Sequence, residues 1–421
     1  MQKLVDFLKE GTCAATVTRK LEEKFLAAGF QKLDLSEEWK LEVGGAYYVD
    51  VHKTSCLAFR VGEERPHEPY FRLISAHTDQ PSFKLKPAPE LQKAGSSKLN
   101  VSVYGGPIYS TWLDRPLSLA GKAVLRGKNL FEDNTRIVDL QKPLLVIPNL
   151  AIHMNREVNR GVELNPQVDM QPLAGLGLSE HFIREILCEE LKAEPEEILD
   201  YDLYAYNLDA PETVGWRQEL LSSPRLDDLV MVSAAAEALI ENRPRTGVTV
   251  LAALDNEEIG SRTPQGGGSA MVSLLLEKIA SCLGKDRSSF IDALTGSFML
   301  SADVAHGVHP NHPEAHDEKV RPVLGGGPVI KLDAGQRYVT DASDYSVYRR
   351  ICEAEGVNVQ VFISRADKVS GSTLGPVMCA YLPCRIVDIG TPILSMHSSR
   401  ETMAWADYEY TKRSFCGFYK L

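Results

Sequence analysis

The segment "LAALDNEEIGS" sets Asp255, Glu257 and Glu258 at the end of an apolar run. Acids so close repel one another and resist desolvation beside a core. The arrangement asks for a solvated turn or a bound cation. Other apolar runs end in the same way. "LISAHTD" ends on His77 and Asp79, "FMLSAD" ends on Asp303, and "RIVDIGTPILSMH" reaches His397 after a short loop. "SPRLDDL" puts Asp227 and Asp228 where a helix begins, a place the helix dipole also favours for carboxylates. Two imidazoles and several carboxylates suit Zn²⁺, Co²⁺ or Mn²⁺ better than Ca²⁺ or a thiolate site. A hydrolytic pair of such ions, about 3.5–4 Å apart, needs a carboxylate to bridge them and a water to attack. One further acid must stay off the metals and move protons. Glu257 and Glu258 could divide that labour, one as base and one as ligand.

Each residue also has a plainer reading. "DNEE" alone is a solvated acidic turn, His77 a hydrogen-bonded core histidine, and Asp79 a turn residue. Asp227 and Asp228 can cap a helix, and Ser398 with Glu401 three residues on reads as a capping box. The joint occurrence at successive strand ends, where ligands of open α/β sheets gather, favours a dinuclear hydrolase.

The elements that must position these residues follow from periodicity. Leu4, Val5 and Leu8, then Val17, Leu21 and Phe25, mark two amphipathic helices within residues 1–29. "GGAYYVDVHKTSCLAFRVG" reads as paired strands and "YFRLISAHTD" as a buried strand. From "LDDLVMVSAAAEALIEN" onward, helices alternate with the strands "GVTVLAALD", "GSFMLSAD" and "NVQVFIS". Such alternation predicts an α/β sandwich on a mostly parallel sheet. Residues 87–221 break the pattern: "NVSVYGGPIYSTWLDRPLSLAGKAVLRG" is rich in β-branched and aromatic residues with turn punctuation. They read as a β-rich domain inserted between residues 1–86 and 222–421.

Bulk properties narrow the partners. The chain has 421 residues, 44 % of them hydrophobic, and a formal net charge of -11. That charge argues against nucleic acid or an anionic membrane, both of which need a basic face. No apolar run reaches the roughly 18 residues a membrane helix needs. The opening "MQKLVDFLKEGT" carries charges inside its apolar pattern, unlike a secretory leader. Eight scattered cysteines without a Cys-x-x-Cys pair point to reduced thiols. A cytoplasmic enzyme is the expectation. The histidine-rich loop holding His306, His309, His312 and His316 invites a third metal site. We read it instead as a loop shaping the pocket after Asp303.

In order along nearly the whole chain, "SAHTDQPSFKLKP", "IPNLAIHMNR", "SPRLDDL", "LDNEEIGS", "SADVAHGVHPN", "GGGPVIKLDAGQRY", "GSTLGP" and "MHSSRE" resemble the aspartyl aminopeptidases, dinuclear zinc exopeptidases. Many members have Asp-Asn where this chain has Asp227–Asp228. The resemblance implies two divalent ions per chain, Zn²⁺ foremost with Co²⁺ or Mn²⁺ as alternatives. His77 and Asp303 would hold one, Glu258 and His397 the other, and Asp227 would bridge. Glu257 would be the general base for a metal-bridging water, and Asp79 would fix the ring of His77. Lys331 would bind the substrate's side-chain carboxylate, and His309 would be a further substrate-binding residue. His153 would reach across a dimer and donate to the substrate carbonyl oxygen, reversing its plain reading as a structural residue at the end of an apolar strand.

The implied fold is a three-layer α/β catalytic domain interrupted by a β-rich dimerisation domain, assembled into tetrahedral dodecamers of dimers. The implied substrate is a peptide with a free N-terminus, Asp or Glu first. Neutral aminopeptidases, deacylases and dipeptidases use the same scaffold, and a catalytically silent shell protein is the alternative outside enzymes.

Overall fold

A computed structural model describes residues 1–63 and 70–421. These fall into two compact units. The first comprises Met1–Asp79, Pro211–Met396 and Glu401–Leu421, and the second Gln80–Ala210 with His397–Arg400. The junctions at 79/80 and 210/211 lie before those expected at 86/87 and 221/222, for a visible reason. Strands Glu212–Val214 and Leu220–Ser223, although β-rich in sequence, pair with each other and with Glu401–Ala404 in the first unit.

The first unit is built on a nine-stranded mixed sheet. At its centre Val248–Leu254, Phe71–His77, Phe298–Ala302 and Arg385–Gly390 lie side by side and parallel. Antiparallel pairs occur on either side, Ser55–Val61 against Val248–Leu254 and Val329–Leu332 against Arg385–Gly390. Central strands covered on both faces read as continuous apolar runs, and every residue of Val248–Leu254 is buried. Successive side chains alternate between two cores. Ile74, Leu251 and Leu300 pack with helices Gln2–Glu10, Ala14–Ala27, Leu226–Glu241, Ala342–Ala354 and Trp405–Lys420. Leu73, Val250 and Met299 pack with Met271–Cys282, Arg287–Thr295 and Leu374–Met378. Helices on both faces of a largely parallel sheet make the expected three layers.

A second sheet of this unit joins Glu212–Val214, Leu220–Ser223, Glu401–Ala404, Pro392–Leu394 and Ala305–His306. It overturns the capping-box reading of Ser398 and Glu401. Glu401 opens a strand, and the helix starts only at Trp405.

The second unit is a six-stranded sheet whose paired strands all run antiparallel. One helix, Phe182–Leu191, packs Phe182, Ile183 and Leu187 into a core with Phe83, Leu99, Leu119 and Leu203. Among the described residues, no helix is long and apolar enough to cross a membrane.

Candidate functional site

Register places the chemistry. Leu254 lies opposite His77, and Ser301 opposite Ser75, so three central strands finish at one edge. His77 is the last residue of its strand, and Asp303 directly follows Phe298–Ala302. Glu257 and Glu258 sit on a single 3-10 turn, Glu257–Ile259, just past Leu254. Asp227 and Asp228 enter from the helix Leu226–Glu241, joined by a cis peptide bond and with non-helical dihedrals. Just before them, Arg225 donates to the carbonyl oxygens of Leu8 and Gly11, closing the end of the first helix.

His77, Asp227, Asp228 and Asp303 each offer one ligand atom, all within 4.8 Å of one another. His77 Nε2 is 3.2 Å from Asp227 Oδ1 and 4.0 Å from Asp303 Oδ1. Its Nδ1 donates to the Asp79 carbonyl oxygen at 3.0 Å, and the Asp79 carboxylate lies 3.5 Å away. That bond directs Nε2 toward the carboxylates, as in histidines that bind metals.

Three carboxylates, Asp228 of the cluster and Asp79 and Glu401 beside it, grip its backbone. Asp79 accepts the N–H of Glu257 at 3.1 Å and of Glu258 at 3.2 Å. Asp228 accepts the N–H of His77, and Glu401 that of Asp227, each at 3.0 Å. Sequence reasoning had treated Asp228 as a companion of the ligand Asp227 and Glu401 as a cap. Both are buried backbone acceptors, and spacing alone carries no sign of that, because their partners lie 151 and 174 residues away.

The electrostatics call for a cation. Burial pushes the carboxyls of Asp228, Asp303 and Glu257 above their ordinary range, and their acidic neighbours add to it. Glu257 is pushed up to about 8. Burial alone would lower His77, but Asp228, Asp227 and Asp79 outweigh it and hold the imidazole protonated. Asp228 Oδ1, fully buried, meets no hydrogen-bond donor among the described residues. One imidazole and three carboxylates around so little positive charge fit a divalent metal.

Removing the cation should leave a pH signature. Groups with a raised folded-state pKa, carboxyl or imidazole, hold protons that the unfolded chain releases, so stability falls as pH rises. For Glu257 the fall spans the ordinary 4.5 up to about 8. A bound cation replaces those protons. Added Zn²⁺ should therefore raise the Tm of chelator-treated protein more at pH 8 than at pH 6. Equal shifts in scanning calorimetry would mean that no cation sits among these groups.

The other expected residues are placed as follows. Lys331, 3 % exposed, has its ammonium 3.3 Å from Asp303 Oδ2 and 5.4 Å from the Tyr338 ring centre. His309 Nδ1 accepts the Asn311 N–H at 3.2 Å. His397 lies in the His397–Arg400 segment of the second unit, where its Nδ1 donates to the Gly106 carbonyl oxygen at 3.1 Å. His153 is on an exposed turn of the second unit, not at a strand end, because the strand-like run before it stops pairing at Ile147.

Residues 7–419 match the family model described as aminopeptidase I zinc metalloprotease (M18). A relative from Clostridium acetobutylicum, named "Probable M18 family aminopeptidase 2", is 42 % identical over 425 residues, covering 100 % of this chain and 98 % of that protein. Among solved structures, Ape4 in its complex with Nbr1 superimposes with a TM-score of 0.94 at 32 % identity, covering 99 % of this chain and 85 % of that one. The S. cerevesiae mApe1 dodecamer gives a TM-score of 0.85 at 25 % identity, over 99 % and 95 %. With its metal-fitting cluster at the strand ends and a match over nearly its full length, the chain belongs to the M18 family of zinc metalloproteases and is a metal-dependent aminopeptidase.

Proposed function

We propose that the chain removes N-terminal Asp or Glu from peptides, using two divalent ions with Glu257 as general base. The buried cluster of His77, Asp227, Asp228 and Asp303, with Glu257 locked beside it through Asp79, carries this reading. His77 and Asp303 would hold one ion, Glu258 and His397 would hold the other, and Asp227 would be shared between them. When bound, the metals polarise the scissile carbonyl and lower the pKa of the attacking water. Glu257 takes the proton of that water and returns it to the leaving amine. Asp79 keeps Glu257, Glu258 and the His77 ring in register, since one carboxylate accepts both glutamate N–H groups.

The working unit is a homo-oligomer, a tetrahedral dodecamer of dimers, in which His153 serves the partner's site. Two observations support this: mApe1 is a dodecamer, and Leu150, Ile152 and Met154 around His153 are exposed apolar side chains.

A panel of Asp-, Glu- and Leu-p-nitroanilides, each assayed with Zn²⁺, Co²⁺ and Mn²⁺, tests the reading. A clear preference for Leu would overturn the acidic specificity and leave a neutral aminopeptidase. Lys331 and His309 are the proposed contacts for the acidic side chain. Lys331→Ala should lower kcat/KM on Asp-p-nitroanilide by about 1.5–3 kcal/mol, the range for a charged hydrogen bond. The loss on Leu-p-nitroanilide should be smaller. Equal losses on both substrates would confine Lys331 to its pairing with Asp303.

A further inference from the structure

We propose that Asp388 is a positioning residue for Lys331, fixing the place of the ammonium that meets the substrate side chain. The proposal rests on the reading of Lys331 given above and adds the group through which Lys331 is held. Asp388 is fully buried on the central strand Arg385–Gly390. On one side of that strand Asp388 lies opposite Ser301, two residues before Asp303. On the other side Ile389 lies opposite Ile330, the neighbour of Lys331. A carboxylate in the middle of a sheet is costly unless donors surround it.

Two loops and the next strand supply those donors. The Thr373 hydroxyl donates to Oδ1 and the Val339 N–H to Oδ2, each at 2.7 Å. Ser301 Oγ accepts the Gly375 N–H at 2.9 Å and turns its own proton to Asp388. The Asp388 N–H in turn donates to Thr340 Oγ1 at 2.8 Å. Gly375 is required for so close an approach, since a Cβ there would lie 2.6 Å from Asp388 Oδ1. Thr373 and Gly375 belong to the "GSTLGP" segment, so this buried carboxylate gives that motif a physical reason.

The same contacts lead to Lys331. Val339 follows Tyr338, whose ring centre lies 5.4 Å from the Lys331 ammonium. Ser370 Oγ donates to Asp333 Oδ2 at 2.7 Å, and Arg337 donates to the Ser370 carbonyl oxygen at 3.2 Å. The segments 333–340 and 370–375 are therefore clasped together, with Asp388 closing one end. Burial pushes the Asp388 carboxyl up, and Ser301, Thr373, Lys331 and the Val339 N–H pull it back. Lys331 thus has two acidic neighbours with different duties. Asp303 belongs to the metal-fitting group and Asp388 does not. When a cation draws on Asp303, the charge of Asp388 still balances the ammonium.

Asparagine cannot replace this carboxylate. Donors meet both oxygens, so the NH₂ of an amide must point at one of them. Asp388→Asn should release Val339 or Thr373 and let the Tyr338 ring shift beneath Lys331. With Zn²⁺ bound, KM for Asp-p-nitroanilide should rise about 10-fold or more, the size of one charged hydrogen bond, with little change in kcat. The loss on Leu-p-nitroanilide should be much smaller. Thr373→Val removes one donor and should give the same split even where Asp388→Asn does not fold, and Thr373→Ser should restore wild-type values.

The double variant Lys331→Ala/Asp388→Asn decides whether the effect passes through Lys331. It should lose no more on Asp-p-nitroanilide than Lys331→Ala alone, and the same cycle runs with Thr373→Val. Unchanged kinetics, additive losses, or equal losses on Asp- and Leu-p-nitroanilide overturn the positioning role. A wild-type preference for Leu-p-nitroanilide overturns the acidic specificity instead. The cycle is then read on Leu-p-nitroanilide, where non-additive losses uphold the link between Asp388 and Lys331 and additive ones refute it.

Discussion

Glu257→Gln is expected to retain wild-type metal content and to lose about 10²–10⁴ in turnover, the usual contribution of a positioned general base. The substitution keeps size and backbone, so the Glu257 N–H still donates to Asp79 and the turn bearing Glu258 keeps its shape. What disappears is the group that takes a proton from the attacking water. With no cation beside it, burial drives the Glu257 carboxyl up to about 8. Nearby cations will draw that value back down. Elemental analysis of the variant separates base from ligand: metal lost along with activity would make Glu257 a ligand. Glu258→Gln should behave in the opposite sense, with metal lost first.

His153→Ala is expected to keep both metals and the oligomer while losing about 2.7–4 kcal/mol of transition-state stabilisation, the cost of one donor to a developing oxyanion. The His153 side chain is exposed on its turn, with apolar neighbours exposed beside it, so within one chain the substitution removes little packing. Complementation gives the sharper result. A dimer of one His153→Ala chain and one Glu257→Gln chain contains one site with its own Glu257 and the partner's His153. Mixing the two inactive proteins, dissociating and reassembling them should restore activity. Reassembled oligomers that stay inactive would place His153 in its own chain's site or outside catalysis.

The strand-end residues were legible because a doubly covered strand leaves a continuous apolar run, and a polar residue that ends such a run stands out. His77 and Asp303 were found in that way, and the structure brings them together with Asp227. Helices were legible where one face repeats, as in Met271–Cys282 with Val272, Leu275, Leu276 and Ile279 buried. The five-stranded sheet was not, because its strands are short and find partners far along the chain, as Ser223 does with Glu401.

By itself, then, the sequence determined the layers and the residue types at the sheet edge, since periodicity and apolar run length are local properties. Only the tertiary structure decided what each acid does there. Asp79 proved to hold two glutamate N–H groups as well as facing His77, Asp228 to hold the His77 backbone, and Glu401 to hold Asp227. It also decided that the Lys331 ammonium rests on Asp303. A hydrogen bond depends on direction and on distances of about 3 Å. Between residues more than a hundred positions apart, those quantities exist only once the chain has folded.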